Sequence, residues 1–356
     1  MNSSSAVCDH YSVGRTLIGV LGLFNIILGL IGSLIWLLYL NTAVQHKTSN
    51  IDLIELAEIR QQPNPSKSEW PSCPFRQSTR LYMMAMFCMD LLGLFTSNLR
   101  FTVLLFTNTD MRLRWGDPVC RLQILLAYMA GDLSTWFQVT FCIERFLILL
   151  LPTWSYSRDR ARIMPAIVLI VVTTLITFGV NTFILIPVVP VCAAKFHNLT
   201  VTWFKMVYTF LIPLPLLFLS TTGVLILLIA RVGTSRLALC LARLIGIRNK
   251  QTSVSLSEAI FASKMMVING LITLTASTAI LLNTVIHASY CCFLTTHQIC
   301  TLDDLQFSLI SLCFYTAICI RSYILIFSSK RVRTDVKQLV KMMFSCTGCS
   351  STCIRT

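Results

Sequence analysis

Charge is what this chain has least of. Of its 356 residues only 12% are Asp, Glu, Lys or Arg, while 55% are hydrophobic; a soluble domain carries about 25% charged residues. The chain cannot clothe itself in a polar surface, so its composition implies a membrane protein. Other absences narrow that class. The apolar stretches are long and continuous, without the alternating segments of about ten residues that build a transmembrane barrel. No internal repeat is visible, which weighs against a transporter. There is no HExxH motif, no phosphate loop and no mid-membrane His/Asp/Ser set. The five histidines are scattered at positions 10, 46, 197, 287 and 297. Nothing points to an enzyme. The 15 cysteines show no paired CxxC and no Cys/His metal spacing; Cys346-x-x-Cys349 stands alone. No cleavable leader is expected, because the first 15 residues are polar and the first apolar run is long enough to span.

What is present is a series of seven apolar runs, at about 16–40, 79–106, 118–150, 163–189, 202–231, 260–287 and 304–328. Each is long enough to cross a bilayer as a helix. The predicted fold is an all-α membrane protein with a seven-transmembrane helix bundle over 16–328. An N-terminal segment (1–15) lies outside, a long cytoplasmic loop covers 41–78, and 329–356 holds a short amphipathic helix and a cytoplasmic tail. Orientation follows from charge. The net charge of +14 would suggest nucleic acid in a soluble protein, but no nucleic-acid partner is expected here. With the N-terminus outside, 21 of the 29 Lys and Arg residues fall on the cytoplasmic side, seven, Lys205 among them, on the outer side or at outer helix ends, and Arg321 within helix seven, as the positive-inside bias requires. Two glycosylation sequons, at Asn2 and Asn198, then both lie outside. The 41–78 loop carries Pro63, Pro65, Pro71 and Pro74. Its stretch IDLIELAEIR (51–60) reads either as an interfacial helix or as part of a disordered insertion.

The stretch CIERFLILLLP (142–152) puts Glu144 and Arg145 inside an otherwise apolar run. A buried charge costs several kcal/mol unless it is paired or near water. Counting along the helix accounts for the pair. Arg145 follows Cys120 by 25 residues, about 37 Å at 1.5 Å per residue. That distance crosses the membrane, so Cys120 sits at the outer mouth and Arg145 at the inner mouth, close to headgroups and water.

Together these features resemble the rhodopsin-like (class A) G-protein-coupled receptors, over roughly residues 15–345. The resemblance rests on Trp115 in RWGDP (114–118), Cys120, the Glu144-Arg145-Phe146 triplet and Pro152 at the family's spacing. LYMMAMFCMDLLGLF (81–95) resembles the family's second helix, with Asp90 as its buried aspartate, and FLIP (210–213) resembles the helix-five proline motif. The resemblance implies a Cys120–Cys192 disulfide at the outer surface, where oxidation is permitted. It implies a G-protein-coupling centre and ionic lock around Glu144, Arg145, Phe146, Pro152 and Tyr323. It also implies a sodium or water site between Asp90 and Ser134, against the alternative of a protonated packing aspartate. Apart from such a sodium ion, no cofactor and no metal is expected.

The chain departs from the family in helices five, six and seven. MMVINGLITLTASTAILLNTVIH (265–287) lacks the Cys-Trp-x-Pro motif, and CIRSY (319–323) has Cys319 and Ile320 where the family has Asn-Pro. The helix-five tyrosine expected near Thr221 is missing. The family's aminergic members carry an aspartate seven residues after the helix-three cysteine; Ala127 stands there, which argues against a monoamine ligand. No lysine lies in mid-helix seven to form a retinal Schiff base.

Candidate ligand residues are Arg100, Gln123, Tyr128, Asp132 and Asp304. Asp132 either faces a cavity or meets a neighbouring helix. Arg100 either meets an acidic ligand group or snorkels to the surface. SSKRVRTDVKQLVKMMF (328–344) alternates bases with apolar residues at helical spacing, as a helix on the inner leaflet does. Cys346, Cys349 and Cys353 follow it as palmitoylation candidates, with an inert tail or a metal clip as the other readings. The expected function is a plasma-membrane receptor for an extracellular ligand, a peptide sooner than a monoamine, that activates a heterotrimeric G protein. Membrane lipids are its other partner. The rival readings are a chemosensory seven-helix receptor for small environmental molecules, or a transporter or channel.

Overall fold

A computed structural model describes the backbone of residues 3–60, 77–107, 117–150, 160–185, 199–232, 254–291, 300–327 and 330–348. Side chains are described over 13–41, 77–107, 118–150, 163–183, 203–230, 262–281, 309–327 and 330–341, with positions 148, 280 and 331 excepted. Among the described residues every element is helical and there is no strand. We number the helices α1 (Ser3–Arg60), α2 (Gln77–Thr107), α3 (Asp117–Leu150), α4 (Arg160–Leu185), α5 (199–232), α6 (Val254–Cys291), α7 (Cys300–Phe327) and α8 (Lys330–Gly348). Each of the seven expected apolar runs lies on one of α1–α7 as far as it is described; 186–189 and 328 fall outside the described residues.

Among the described residues, five stretches are long and apolar enough to cross a membrane: Val13–Asn41, Gln77–Thr107, Ile163–Phe183, Trp203–Ala230 and Leu309–Phe327. They show bulky apolar side chains outward, such as Phe24, Ile27, Val168, Leu175, Phe183 and Phe218, a surface suited to lipid and not to water. Five is fewer than the seven crossings expected. α3 is long enough at 34 residues, but it carries Asp132, Gln138, Glu144 and Arg145 along its length. Much of α6 falls outside the described side chains.

α1 differs most from expectation. It runs unbroken for 58 residues, about 87 Å, through both the expected outer segment and the 41–60 part of the expected loop. The local reason is composition. No Gly or Pro occurs between Ser33 and Arg60, and Pro63 is the first residue that bars a helix.

Two helices widen to a π turn. In α5 the turn Val207–Leu211 immediately precedes Pro213, and Ile212 N–H donates to the Val207 carbonyl at 3.0 Å. Proline lacks the N–H and crowds the carbonyl four residues back, so the ladder shifts register there. In α2 the turn is Leu94–Asn98, and Gln123 Nε2 reaches across from α3 to the Thr96 carbonyl within it (3.0 Å).

The helices pack side by side with α3 at the centre, against α2, α4, α5 and α6; α1 and α7 pack on each other, and α6 bridges α5 and α7. The largest apolar core lies toward the C-terminal end of α3 and takes in Trp36, Phe87, Phe137, Phe141, Leu217 and Met266. Trp36 and Phe87 stack with centroids 5.5 Å apart, and Trp36 Nε1 donates to the Ser322 carbonyl at 2.9 Å. The amphipathic α8 joins this core through Val332, Val336 and Leu339, while Lys330, Arg333, Lys337 and Lys341 face outward.

Candidate functional site

α3 carries three polar groups down its length, and each meets different helices. Nearest its N-terminus, Asp132 is 2% exposed and ion-paired to Lys205 of α5. Asn181 of α4 donates to the same carboxylate oxygen at 2.8 Å and accepts from Lys205 Nζ at 2.7 Å; Thr209 donates to the other oxygen at 2.9 Å. The Lys205 ammonium also lies 4.8 Å from the centre of the Tyr128 ring. Around them Thr177 and Tyr208 hydroxyls meet at 2.7 Å, and Tyr208 packs on Trp136. The carboxylate therefore has partners on both oxygens, as a buried ion pair requires. The sequence put Lys205 at the outer end of its helix; it is in fact turned inward and mostly buried. Of the two readings of Asp132, contact with neighbouring helices is the one realised.

Two residues beyond Asp132 on α3 is Ser134, and its partner Asp90 of α2 is again 2% exposed. Ser134 donates to its Oδ1 at 2.8 Å, the juxtaposition that the resemblance implied. Its Oδ2 is taken by the guanidinium of Arg321 from α7. Arg321 also reaches Ser134 Oγ and Thr273 Oγ1 of α6, both at 3.4 Å. The expected sodium ion does not fit this arrangement. The carboxylate already faces a full positive charge inside a buried cluster, and a second cation would repel it at low dielectric. The cation of this site is a side chain. A cavity of about 10 Å³ opens beside it, lined by Ser134, Thr135, Thr273, Phe314 and Arg321 among others, room for about one water molecule.

From Thr273 a polar chain continues. Thr273 donates to the Asn269 carbonyl at 3.0 Å, and the Asn269 amide donates to Gln138 Oε1. Gln138 Nε2 reaches Cys142 Sγ at 3.6 Å, and Cys142 lies 3.8 Å from Thr221 Oγ1 of α5. Thr221, where a tyrosine was expected, is thus the α5 end of a path crossing α2, α7, α6, α3 and α5.

One turn beyond Cys142 is Arg145, a large cation only 1% exposed. Its NH2 pairs with Glu144 Oε1 at 3.2 Å, and its guanidinium stands 5.5 Å from the Phe141 ring centre. Its Nε and NH1, Glu144 Oε2, Tyr82 OH and Thr79 Oγ1 are all buried without a hydrogen-bond partner among the described residues. Each such atom costs about 1–3 kcal/mol, so this end of α3 is held with unmet bonding capacity. Phe146 packs against Gly223 of α5, where a Cβ would come within 2.7 Å of its ring. Tyr323, expected beside Arg145, instead donates to the Leu28 carbonyl of α1 at 2.9 Å.

The remaining expected residues are dispersed. Gln123 is tied to α2, as described above. Arg100 lies 5.1 Å over the Phe101 ring on its own helix. Cys120 is buried and disulfide-bonded; Cys192 lies outside the described residues. So do Asn2, Asn198, Pro152, Cys349 and Cys353, as well as the side chains of Asp304 and Cys346. No group of residues able to hold a metal ion occurs among the described residues.

Sequence reasoning named Asp90, Ser134, Asp132 and Arg145 but missed the partners Lys205, Asn181, Arg321, Asn269 and Gln138. One signal was present. Two acids and two bases inside apolar runs call for mutual pairing. Compared with known proteins, the chain matches no protein-family model and no curated protein.

Proposed function

We propose that this protein is a divergent rhodopsin-like G-protein-coupled receptor of the plasma membrane. Its seven helices cross the bilayer with the N-terminus outside, and it activates a heterotrimeric G protein through the end of α3 that carries Arg145. The observation that carries this reading is Arg145 itself. It is buried at the end of the central helix, ion-paired to Glu144 and over the Phe141 ring, with two nitrogens that have no hydrogen-bond partner among the described residues. A guanidinium so placed can release its carboxylate and donate to the backbone carbonyls of an incoming helix end, a charge-assisted contact. An extracellular ligand would act by favouring the packing in which that end is open.

The ligand side is the coarser part of the proposal. Asp132 is fully engaged by Lys205, Asn181 and Thr209, so no free carboxylate awaits an amine at that level. This supports a peptide over a monoamine. The Cys120–Cys192 bridge, glycans on Asn2 and Asn198, and lipidation of Cys346, Cys349 or Cys353 belong to the same proposal.

The test is a screen of peptide libraries in cells expressing a promiscuous Gα, with surface expression measured in parallel. A responding ligand should lose its signal with Arg145→Ala while surface expression stays close to wild type. Equal loss of signal and surface expression would reduce Arg145 to a structural residue.

A further inference from the structure

We infer that Arg321 is a built-in counter-cation for Asp90. We infer also that the chain from this pair through Thr273, Asn269 and Gln138 is the clamp that keeps the C-terminal half of the helix packing closed. Arg321 and Asn269 then act as positioning residues for Arg145. The helix-six and helix-seven sequences lack the motifs that the resemblance called for, and this network occupies the same depth with different chemistry. The argument is geometric. Arg321 on α7 contacts a carboxylate on α2, a hydroxyl on α3 and a hydroxyl on α6, so a single side chain ties four helices. Asn269 then fastens α6 to Gln138 of α3, and Cys142 of α3 meets Thr221 of α5. At that crossing α5 and α6 are close, since a Cβ on Gly270 would lie 2.7 Å from Thr221 Oγ1.

These contacts have two well-separated states. A buried ion pair is closed when made; when one helix shifts, each charge needs a new partner or water, and the small cavity beside Arg321 admits only about one. Intermediate separations leave a bare charge in a dry interior, so the clamp opens as a unit. Opening it frees α6 and α7 from α2 and α3, about two to three turns from Arg145.

The clamp rests on the receptor reading for its consequence in signalling, but not for its first readout. Cys142 and Cys319 are both free and buried, Cys142 inside the network and Cys319 against the α1 backbone, with its thiol 3.0 Å from the Asn25 carbonyl. The full chain is placed in lipid nanodiscs and treated with a small maleimide, and modification is followed at each cysteine by mass spectrometry. Two double variants remove the network without stranding a partner: Asp90→Asn with Arg321→Met, and Gln138→Leu with Asn269→Leu. In each, Cys142 should label at least about fivefold faster than in wild type, with Cys319 still protected. Basal nucleotide exchange on Gα should rise in parallel. If Cys142 stays as protected as in wild type in the folded variants, the clamp is wrong. If Cys142 and Cys319 open together, or both variants fail to fold, the network is structural only and the clamp is again wrong. If Cys142 alone opens while neither wild type nor variant ever drives exchange, the clamp stands and the receptor reading fails.

Discussion

At the scale of single residues, Asp132–Lys205 and Asp90–Arg321 are buried ion pairs, and Arg145 has two nitrogens without a hydrogen-bond partner among the described residues. The pairs should respond to mutation differently from ordinary polar contacts. Lys205→Met strands Asp132 among Asn181 and Thr209, and breaking a buried pair from one side costs about 3–5 kcal/mol. The double variant Asp132→Asn with Lys205→Met removes both charges and should recover most of that loss. Thermal unfolding in detergent separates the cases; equal destabilisation by the single and double variants would show that the pair has no coupling. Arg145 should behave in the opposite way. Glu144→Gln removes its one ion-pair partner at a position already rich in unpartnered atoms. Basal Gα exchange should therefore rise about fivefold with little change in unfolding temperature. An unchanged basal rate would show that Glu144 does not restrain the arginine.

At the scale of helices, close approach is set where side chains are smallest. A Cβ on Gly29 of α1 would come within 2.4 Å of Leu94 in the π turn of α2 and 2.7 Å of Cys319 on α7. Gly29→Ala should destabilise by about 1–3 kcal/mol through overpacking, and Cys319→Ala should restore part of it. Full additivity of the two would contradict a shared contact. The helices themselves were legible in the sequence because apolar length and proline placement are one-dimensional signals. The 25-residue spacing from Cys120 to Arg145 put the two residues toward opposite ends of one helix for the same reason, and both lie on α3. What a sequence does not carry is the direction each residue faces around its helix. Arg321 could be counted into helix seven but not aimed at Asp90, and Lys205 was read as an outer-end residue when it turns toward Asp132. Tyr323 shows the same gap, since it faces α1 and not Arg145. The continuation of α1 to Arg60 was missed for another reason. Four prolines in the 41–78 segment suggested a loop, with 51–60 read either as an interfacial helix or as part of a disordered insertion, but all of the prolines lie beyond Arg60, where they do not disturb the helix that precedes them.

At the scale of the whole molecule, five stretches among the described residues are fit to cross a bilayer, and the helices pack around α3. The cationic surplus divides threefold between the two sides in the N-out orientation. That orientation makes a direct prediction. An epitope tag fused ahead of Met1 should be stained on intact cells, whereas a tag after Thr356 should need permeabilisation. The reverse pattern would invert every statement about which end of α3 meets the G protein. The central claim is that the Arg145 end of α3 engages Gα. It is tested most directly by guanine-nucleotide exchange on a panel of purified Gα subunits. The protein would be assayed in nanodiscs with the Asp90→Asn/Arg321→Met variant as the open form, each with and without Arg145→Ala. The account predicts that the open form accelerates exchange on at least one Gα and that adding Arg145→Ala abolishes the acceleration. Folded open-form protein that leaves exchange at its spontaneous rate on every Gα, or acceleration that survives the loss of Arg145, would contradict it.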